Sequence, residues 1–148
     1  MFHSRQISNP YAEELTSIKE GERKMEKKHI KIKWLSEPEA HDYHAAQSFL
    51  SILFEESFAK KFVKELKKAP ISEFKAKDIF RASALSLLGV SNSHVQKDQQ
   101  KIESGQAIAP LLLVRDTTNG RVIIADGYHR LCAIYSFDED AVIPCKII

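Results

Sequence analysis

The fold of this chain is decided by residues 111–130, which read LLLVRDTTNGRVIIADGYHR. Apolar runs at Leu111–Val114 and Arg121–Ala125 flank a polar stretch that contains Asn119-Gly120, a dipeptide typical of tight hairpin turns. After Asp126-Gly127 the apolar spacing changes from that of a strand to that of a helix. The segment predicts two antiparallel strands followed by a helix that begins at a glycine.

The rest of the chain predicts helices first and a small sheet at the end. Helical spacing of apolar side chains, with cap or breaker residues, predicts four helices, over residues 38–53, 58–68, 82–88 and 93–104. We expect Ser36 to be the N-cap of the first, Phe58 to face inward in the second, and Gly89 to end the third. Strands are predicted over His29–Leu35 and Val142–Ile148, and residues 71–81 fit either a strand or a turn. This order favours an α+β fold, a small mixed sheet with flanking helices.

Composition limits the class of protein. The chain has 148 residues, 43% of them hydrophobic, and a net charge of +2, which indicates one globular domain and excludes a strongly basic nucleic-acid coat protein. Cys132 and Cys145 are too few for a disulfide scaffold. No apolar run has the length of a membrane span, and the first residues lack the apolar core of a secretory signal. We therefore expect a cytoplasmic protein without membrane contact.

The chain divides into a polar arm and one domain. Residues 1–28 carry few large apolar side chains, so they bury too little surface to offset the entropy of ordering, and we expect a flexible arm. Residues 29–148 form the single α+β domain. In it an N-terminal helical part, residues 36–70, precedes a core, residues 71–148, that carries the motif described next.

The chemical information lies in Asp126-Gly127-Tyr128-His129-Arg130. The first amides of a helix are unpaired donors at the positive end of the helix dipole, and Gly127 allows a tight turn just before them. His129 and Arg130 add side-chain donors at the same end, and a guanidinium matches the geometry of phosphate. The motif predicts a phosphate site, in which a charge-reversing Arg130→Glu abolishes binding and leaves the fold intact.

A purely structural interpretation of the same motif stays open. In it, Asp126 is only the N-cap of the helix, and His129 and Arg130 are solvated side chains of its first turn. Cations are unfavourable in the first turn of a helix, which favours an anionic partner instead. If the site is catalytic, Asp126 is the nearest candidate base and His129 can shuttle a proton, but the sequence offers no convincing second carboxylate.

Residues 94–148 resemble the superfamily of ParB N-terminal domains and sulfiredoxins. The resemblance covers Gln106–Pro110, the hairpin, the pattern Gly127-x-x-Arg130-x-x-Ala133 and the closing Ile143-Pro144-x-Lys146. The motif's counterpart is G-E-R-R-x-R-A in ParB proteins, where it contacts CTP, G-G-C-H-R in sulfiredoxins, and D-G-H-H-R in ParB-like free serine kinases, where it holds ADP. The present D-G-Y-H-R is nearest to the last. The resemblance implies a ParB/sulfiredoxin-like fold and a nucleotide, ATP, ADP or CTP, with Mg²⁺ if phosphoryl transfer occurs.

One position departs from the sulfiredoxin pattern. Tyr128 stands where sulfiredoxins have their catalytic cysteine, so sulfinic-acid repair by that nucleophile is not implied. Cys132 follows one turn later in the helix. A cysteine inside an apolar helix face is more typical of a small buried side chain than of a nucleophile.

Further phosphate ligands are implied on the helix before the first hairpin strand, where the resembling families carry basic residues. Here Lys97 and Lys101 share a helix face, with His94 as a weaker candidate. Arg81 is a further candidate, because these families often place a basic residue after the opening strand. A solvated helix face is the alternative interpretation, since this helix is polar throughout.

We therefore predict a nucleotide- or phosphate-binding domain. Its reaction, if it is an enzyme, would be Mg²⁺-dependent phosphoryl transfer or nucleotide hydrolysis. The alternative is a non-catalytic module that binds protein or DNA through the Lys-rich helix 58–68, with weak nucleic-acid contact at Lys60, Lys61 and Lys64. We predict no metal site built from protein side chains, and a homodimer stays open.

Overall fold

The computed structural model describes residues 30–89 and 92–148. The predicted arm, residues 1–28, lies outside the described residues. Along the described chain the elements are α1 (Ala40–Leu53), α2 (Glu56–Lys68), β1 (Ile71–Lys75), α3 (Ala76–Ser83), α4 (Ser93–Glu103), β2 (Leu111–Asp116), β3 (Arg121–Asp126), α5 (Tyr128–Phe137) and β4 (Val142–Ile147).

The four strands form one mixed sheet in the order β1-β4-β2-β3. The hairpin β2–β3 is antiparallel, as predicted, while β4 runs parallel to β2 and antiparallel to β1. Ile71 is opposite Lys146 and Leu111 is opposite Cys145. The α+β class and the mixed sheet predicted from the sequence are confirmed.

Each hairpin strand has a continuous apolar run of four residues, Leu111–Val114 and Val122–Ala125, because helices cover both faces of the sheet there. Leu111 and Leu113 pack in a core with side chains of α3, α4 and α5. Leu112 and Val114, which point to the opposite face, pack under α1 and α2. A strand that is buried on both sides is expected to be continuously apolar rather than alternating.

The strand predicted over His29–Leu35 is wrong for the part that the structure describes. Only Trp34 pairs, through a single parallel bridge to Ile108. The amide of Leu35 donates to the Ile108 carbonyl at 2.9 Å, and the Ile108 amide donates to the Lys33 carbonyl at 3.0 Å. Two residues further along the partner segment, Pro110 has no N–H with which to continue a ladder.

The helix predicted over 82–88 is also wrong, because the helix of this region, α3, spans Ala76–Ser83. Its first two amides, at Ala76 and Lys77, donate to carbonyls of the loop before β4, each at 2.9 Å. The helix ends at Ala84, which adopts a left-handed conformation with φ of +56°. The ambiguous stretch 71–81 is therefore a strand followed directly by most of this helix.

The other predicted helices are confirmed, with small corrections at their ends. Helix α1 begins after Glu39, whose amide donates to the Asp42 carboxylate at 2.8 Å, so Ser36 is not the N-cap. In α2 the buried face consists of Ala59, Val63 and Leu66, while Phe58 is exposed, contrary to prediction. Within the described ranges no helix has the length and apolar content needed to cross a membrane.

Candidate functional site

Helix α5 begins at Gly127, a position that only glycine fits. Its φ is +104°, and a Cβ there would lie 2.7 Å from Leu111 Cγ and 3.0 Å from Arg130 Nη2. No side chain of the described residues caps the helix start. The first amides of α5 therefore remain available as donors at the positive end of the helix dipole.

A cavity of about 190 Å³ opens at this end of α5. One wall is the predicted motif, Asp126–Arg130, and the other is one face of α4. Helix α4 lies along α5, where Gln99 Nε2 donates to Ser136 Oγ at 2.8 Å. From α4 the cavity is lined by His94, Lys97, Asp98 and Lys101. The structure thus brings together eight of the residues singled out in the sequence and adds Asp98.

Arg81 is not part of this site. Its side chain is 84% exposed, and its one ion pair with a described residue is to Asp78, at 3.9 Å on its own helix. The buried face of α3 consists of Ala76, Ile79 and Ser83, which leaves Arg81 on the solvent side. Arg81 is a predicted ligand because it is a basic residue that follows the opening strand. Helix α3 is oriented with Arg81 on its solvent side, so the side chain does not line the cavity.

Arg130 is held by two carboxylates, contacts that the sequence analysis did not anticipate. Its Nη2 donates to Asp126 Oδ2 at 2.9 Å, and its Nη1 lies 3.6 Å from Asp42 Oδ1. The same Nη2 reaches the Pro110 carbonyl at 3.3 Å. Asp126 therefore pairs with Arg130 and is not the N-cap, a role that Gly127 fills.

The Nε–H of Arg130 is buried and has no hydrogen-bond partner among the described residues. Buried donors that lack a protein partner are rare, and in many proteins such donors bind an ion, a ligand or an ordered water. The guanidinium thus forms ion pairs with two carboxylates and keeps one buried donor without a partner among the described residues.

Asp42 is the second carboxylate that the sequence analysis missed. It lies in the first turn of α1 and its side chain is only 2% exposed. One of its oxygens accepts from the Glu39 amide and the other faces Arg130. No local pattern links α1 to the motif, so this contact could be found only from the tertiary structure.

Burial and neighbouring charges set the protonation of the site. The pKa of Asp126 is raised to about 6, chiefly by burial and also by the nearby Asp42 carboxylate, while Arg130 opposes the rise. Burial also raises the pKa of Asp98, against the field of Lys101. The pKa of His129 is lowered by burial and by His94, whose ring centroid lies 4.9 Å away. Asp126 is therefore a group that can exchange a proton near neutral pH.

Tyr128 and Cys132 have mainly structural surroundings. The Tyr128 hydroxyl donates to the carbonyl of Ser86, in the loop after α3. Cys132 is fully buried, and burial raises the pKa of its thiol. A thiol in that state is a poor nucleophile, which agrees with the interpretation of Cys132 as a small buried side chain.

Two charged clusters lie outside the cavity: one is paired within the protein, and the other is the solvent-facing side of a helix. In the loop before β4, Asp140 forms an ion pair with Lys77 Nζ at 2.6 Å. On α2 the side chains of Lys60, Lys61 and Lys64 face solvent, and Lys60 pairs with Glu56 at 3.2 Å. An amphipathic helix places lysines this way without any partner.

Comparison with protein-family models, with curated proteins and with solved structures gives no match for this chain. The likeness to ParB domains and sulfiredoxins accordingly remains a hypothesis from the sequence.

Proposed function

We propose that the cavity at the start of α5 binds the phosphate groups of a nucleotide. The observation that carries this proposal is the meeting of two lysines of α4, Lys97 and Lys101, with the uncapped amides of α5 at one cavity. Helix starts and lysines are both common phosphate ligands, and here they come from two separate elements.

The charged side chains that line the cavity have a positive balance, three basic against two acidic, which supports an anionic ligand. Neither Lys97 nor Lys101 takes part in an ion pair within 4.0 Å of another described residue. The charge of Asp126 is compensated by Arg130 at 2.9 Å, so it repels an anion less than a free carboxylate would. His94 and His129 add donors to the same cavity.

The nucleotide in this proposal comes from the resemblance to ParB proteins and ParB-like free serine kinases, and the reaction comes from the resemblance to the kinases. These resemblances suggest ATP, ADP or CTP as ligand and phosphoryl transfer or hydrolysis as reaction. Asp126, with its pKa of about 6, is the proposed proton acceptor, and Arg130 keeps it in place. Mg²⁺ prefers oxygen ligands and usually binds through phosphates and one or two carboxylates, and the carboxylates of this cavity fit that requirement.

Thermal shift in the presence of ATP, ADP, CTP, GTP and pyrophosphate, each with and without Mg²⁺, tests the proposal. A ligand that binds only the native state raises the melting temperature once its concentration exceeds its dissociation constant. We expect the shift to be lost in the double variant Lys97→Ala, Lys101→Ala. The matched control Lys60→Ala, Lys64→Ala removes two solvent-facing lysines of α2 and should keep the shift.

Two results would contradict the proposal. One is the absence of any shift at millimolar ligand, and the other is an equal loss in both double variants. The second result, together with salt-dependent binding of duplex DNA that only the α2 variant loses, would instead support the alternative module that binds through α2.

A further inference from the structure

A second cavity, of about 380 Å³, adjoins the first. The two share three lining residues, Asp98, Lys101 and Arg130. The shared wall places the second cavity directly beside the proposed phosphate site. Together the two volumes fall within the range of roughly 300–1,000 Å³ that small-molecule sites occupy.

The remaining walls of the second cavity combine apolar surface with polar groups. Leu35 and the segment Gln106–Ala109 form one side, and the start of α1 forms the other. The single bridge between Trp34 and Ile108 fixes the position of the first side. Glu39, His41, Asp42 and Gln106 supply polar side chains beside this apolar surface. Such a lining suits a flat ring whose edge carries several hydrogen-bonding groups.

Asp98 lies on the wall between the two cavities, near Lys101 and Arg130, but forms no side-chain hydrogen bond with a described residue. It is half-buried, and none of the ion pairs within 4.0 Å among the described residues involves it. An ionised carboxylate accepts hydrogen bonds and donates none. It repels a phosphate beside it, so its position favours a ligand that presents donors next to its phosphates.

We propose that Asp98 accepts hydrogen bonds from the ribose hydroxyls of a nucleotide that spans both cavities. The phosphates lie at the start of α5, the ribose lies beside Asp98, and the base packs against Leu35 and Ala107. This inference rests on the proposed phosphate site and specifies what the rest of the ligand contacts. A carboxylate that binds ribose hydroxyls next to a helix-bound phosphate is a known physical solution in other nucleotide sites.

Calorimetric titration of the full chain with ADP, CDP and pyrophosphate, in EDTA, tests the inference. We expect Asp98→Asn to weaken binding of ADP or CDP by roughly 10-fold or more, because a charged acceptor is lost. The same variant should bind pyrophosphate as tightly as the wild type or more tightly, because a negative charge beside the phosphates is removed. Asp98→Ala should likewise weaken binding of ADP or CDP, and it should leave binding of pyrophosphate unchanged or make it tighter.

Deoxy ligands and a control variant sharpen the test. In the wild type, 2′-deoxy- or 3′-deoxy-ADP should bind more weakly than ADP, and this difference should shrink in Asp98→Asn. Asp78→Asn removes an exposed carboxylate of α3 that pairs with Arg81, and it should change none of the affinities.

The possible failures are distinguishable. If the wild type does not bind pyrophosphate, the proposed phosphate site itself is overturned. If pyrophosphate binds but ADP and CDP bind no more tightly, or if Asp98→Asn weakens all three equally, only the role of Asp98 is overturned. If Asp98→Asn acts only when Mg²⁺ is added, the carboxylate is a metal ligand and the ribose contact is wrong.

Discussion

Among single residues, Arg130 is the cation that compensates two carboxylates, the buried Asp42 and the partly buried Asp126. Replacing it with glutamate would place a third carboxylate beside Asp42 and Asp126. Contrary to the expectation from the sequence, we predict that Arg130→Glu destabilises the fold by about 3–5 kcal/mol, because breaking a buried ion pair leaves uncompensated charge. Urea unfolding measures this loss.

The matched control for that substitution is Arg121→Ala. Arg121 pairs with Asp116 at 3.1 Å, but its side chain is 50% exposed. Exposed ion pairs contribute about 0–1 kcal/mol, so this variant should unfold at nearly the wild-type urea concentration. Equal effects of the two substitutions would show that the contacts of Arg130 are no stronger than those of a surface arginine.

The protonation of Asp126 predicts how stability changes with pH. Its pKa is about 6 in the folded protein and about 4 in an unfolded chain, so the folded state binds the proton more tightly. The stabilisation from this proton is complete below pH ~4 and is lost as the pH rises through about 6. Between pH ~4 and ~8, the free energy of unfolding of the wild type should fall by about 2 kcal/mol more than that of Asp126→Asn. Urea unfolding across this pH range measures the difference. Parallel pH curves for the two proteins would contradict it.

Alanine substitutions at three glycines, one in the turn that starts α5 and two elsewhere, test how strongly that turn requires glycine. Gly127→Ala should be the most harmful, because the new Cβ meets Leu111 and φ is strongly positive. Gly120→Ala, in the hairpin turn with φ of +62°, has free space and should cost about 1–2 kcal/mol for backbone strain alone. Gly89→Ala has neither problem and should be nearly neutral. Melting temperatures in any other order would contradict this account.

At the scale of elements, helix α4 presents the proposed phosphate lysines, and its start is fixed by Asn92. The Asn92 side chain accepts from the amides of His94 and Val95 at 3.0 and 3.3 Å. Asn92→Ala should cost about 1 kcal/mol and accelerate hydrogen exchange in the first turn of α4. Asn92→Asp restores an acceptor and should recover most of the loss. Unchanged exchange in Asn92→Ala would mean that packing alone fixes this turn.

Elements with local signals could be predicted from the sequence, and those that depend on distant partners could not. The hairpin, α4 and α5 have turn, cap and glycine residues within their own segments, and all three are found where predicted. Helix α3 was misplaced because its first amides are satisfied by the loop before β4, which is remote in sequence. The same limit applies to the site, where Lys97 and Gly127 could be found from the sequence and Asp42 could not.

At the scale of the whole molecule, the two apolar cores share the hairpin strands, so the protein should unfold as one unit. Leu50 lies in the core under α1 and α2, while Trp34, the single tryptophan, packs against the other core. Leu50→Ala should cost about 2–5 kcal/mol and shift the Trp34 fluorescence transition by the same amount as the circular dichroism transition. Transitions that separate would show that the α1–α2 layer melts independently.

The inner position of β4 in the sheet has a consequence for synthesis on the ribosome. Strand β1 ends at Lys75, and its neighbour in the sheet, β4, begins at Val142. At translation rates of roughly 5–20 residues per second, β1 waits on the order of 3–14 s before its partner emerges. During that interval an unpaired strand that carries Ile71 and Phe74 is open to other nascent chains on the same messenger RNA. Slower decoding of the intervening codons would lengthen this exposure and lower the yield of folded protein without changing a single amino acid.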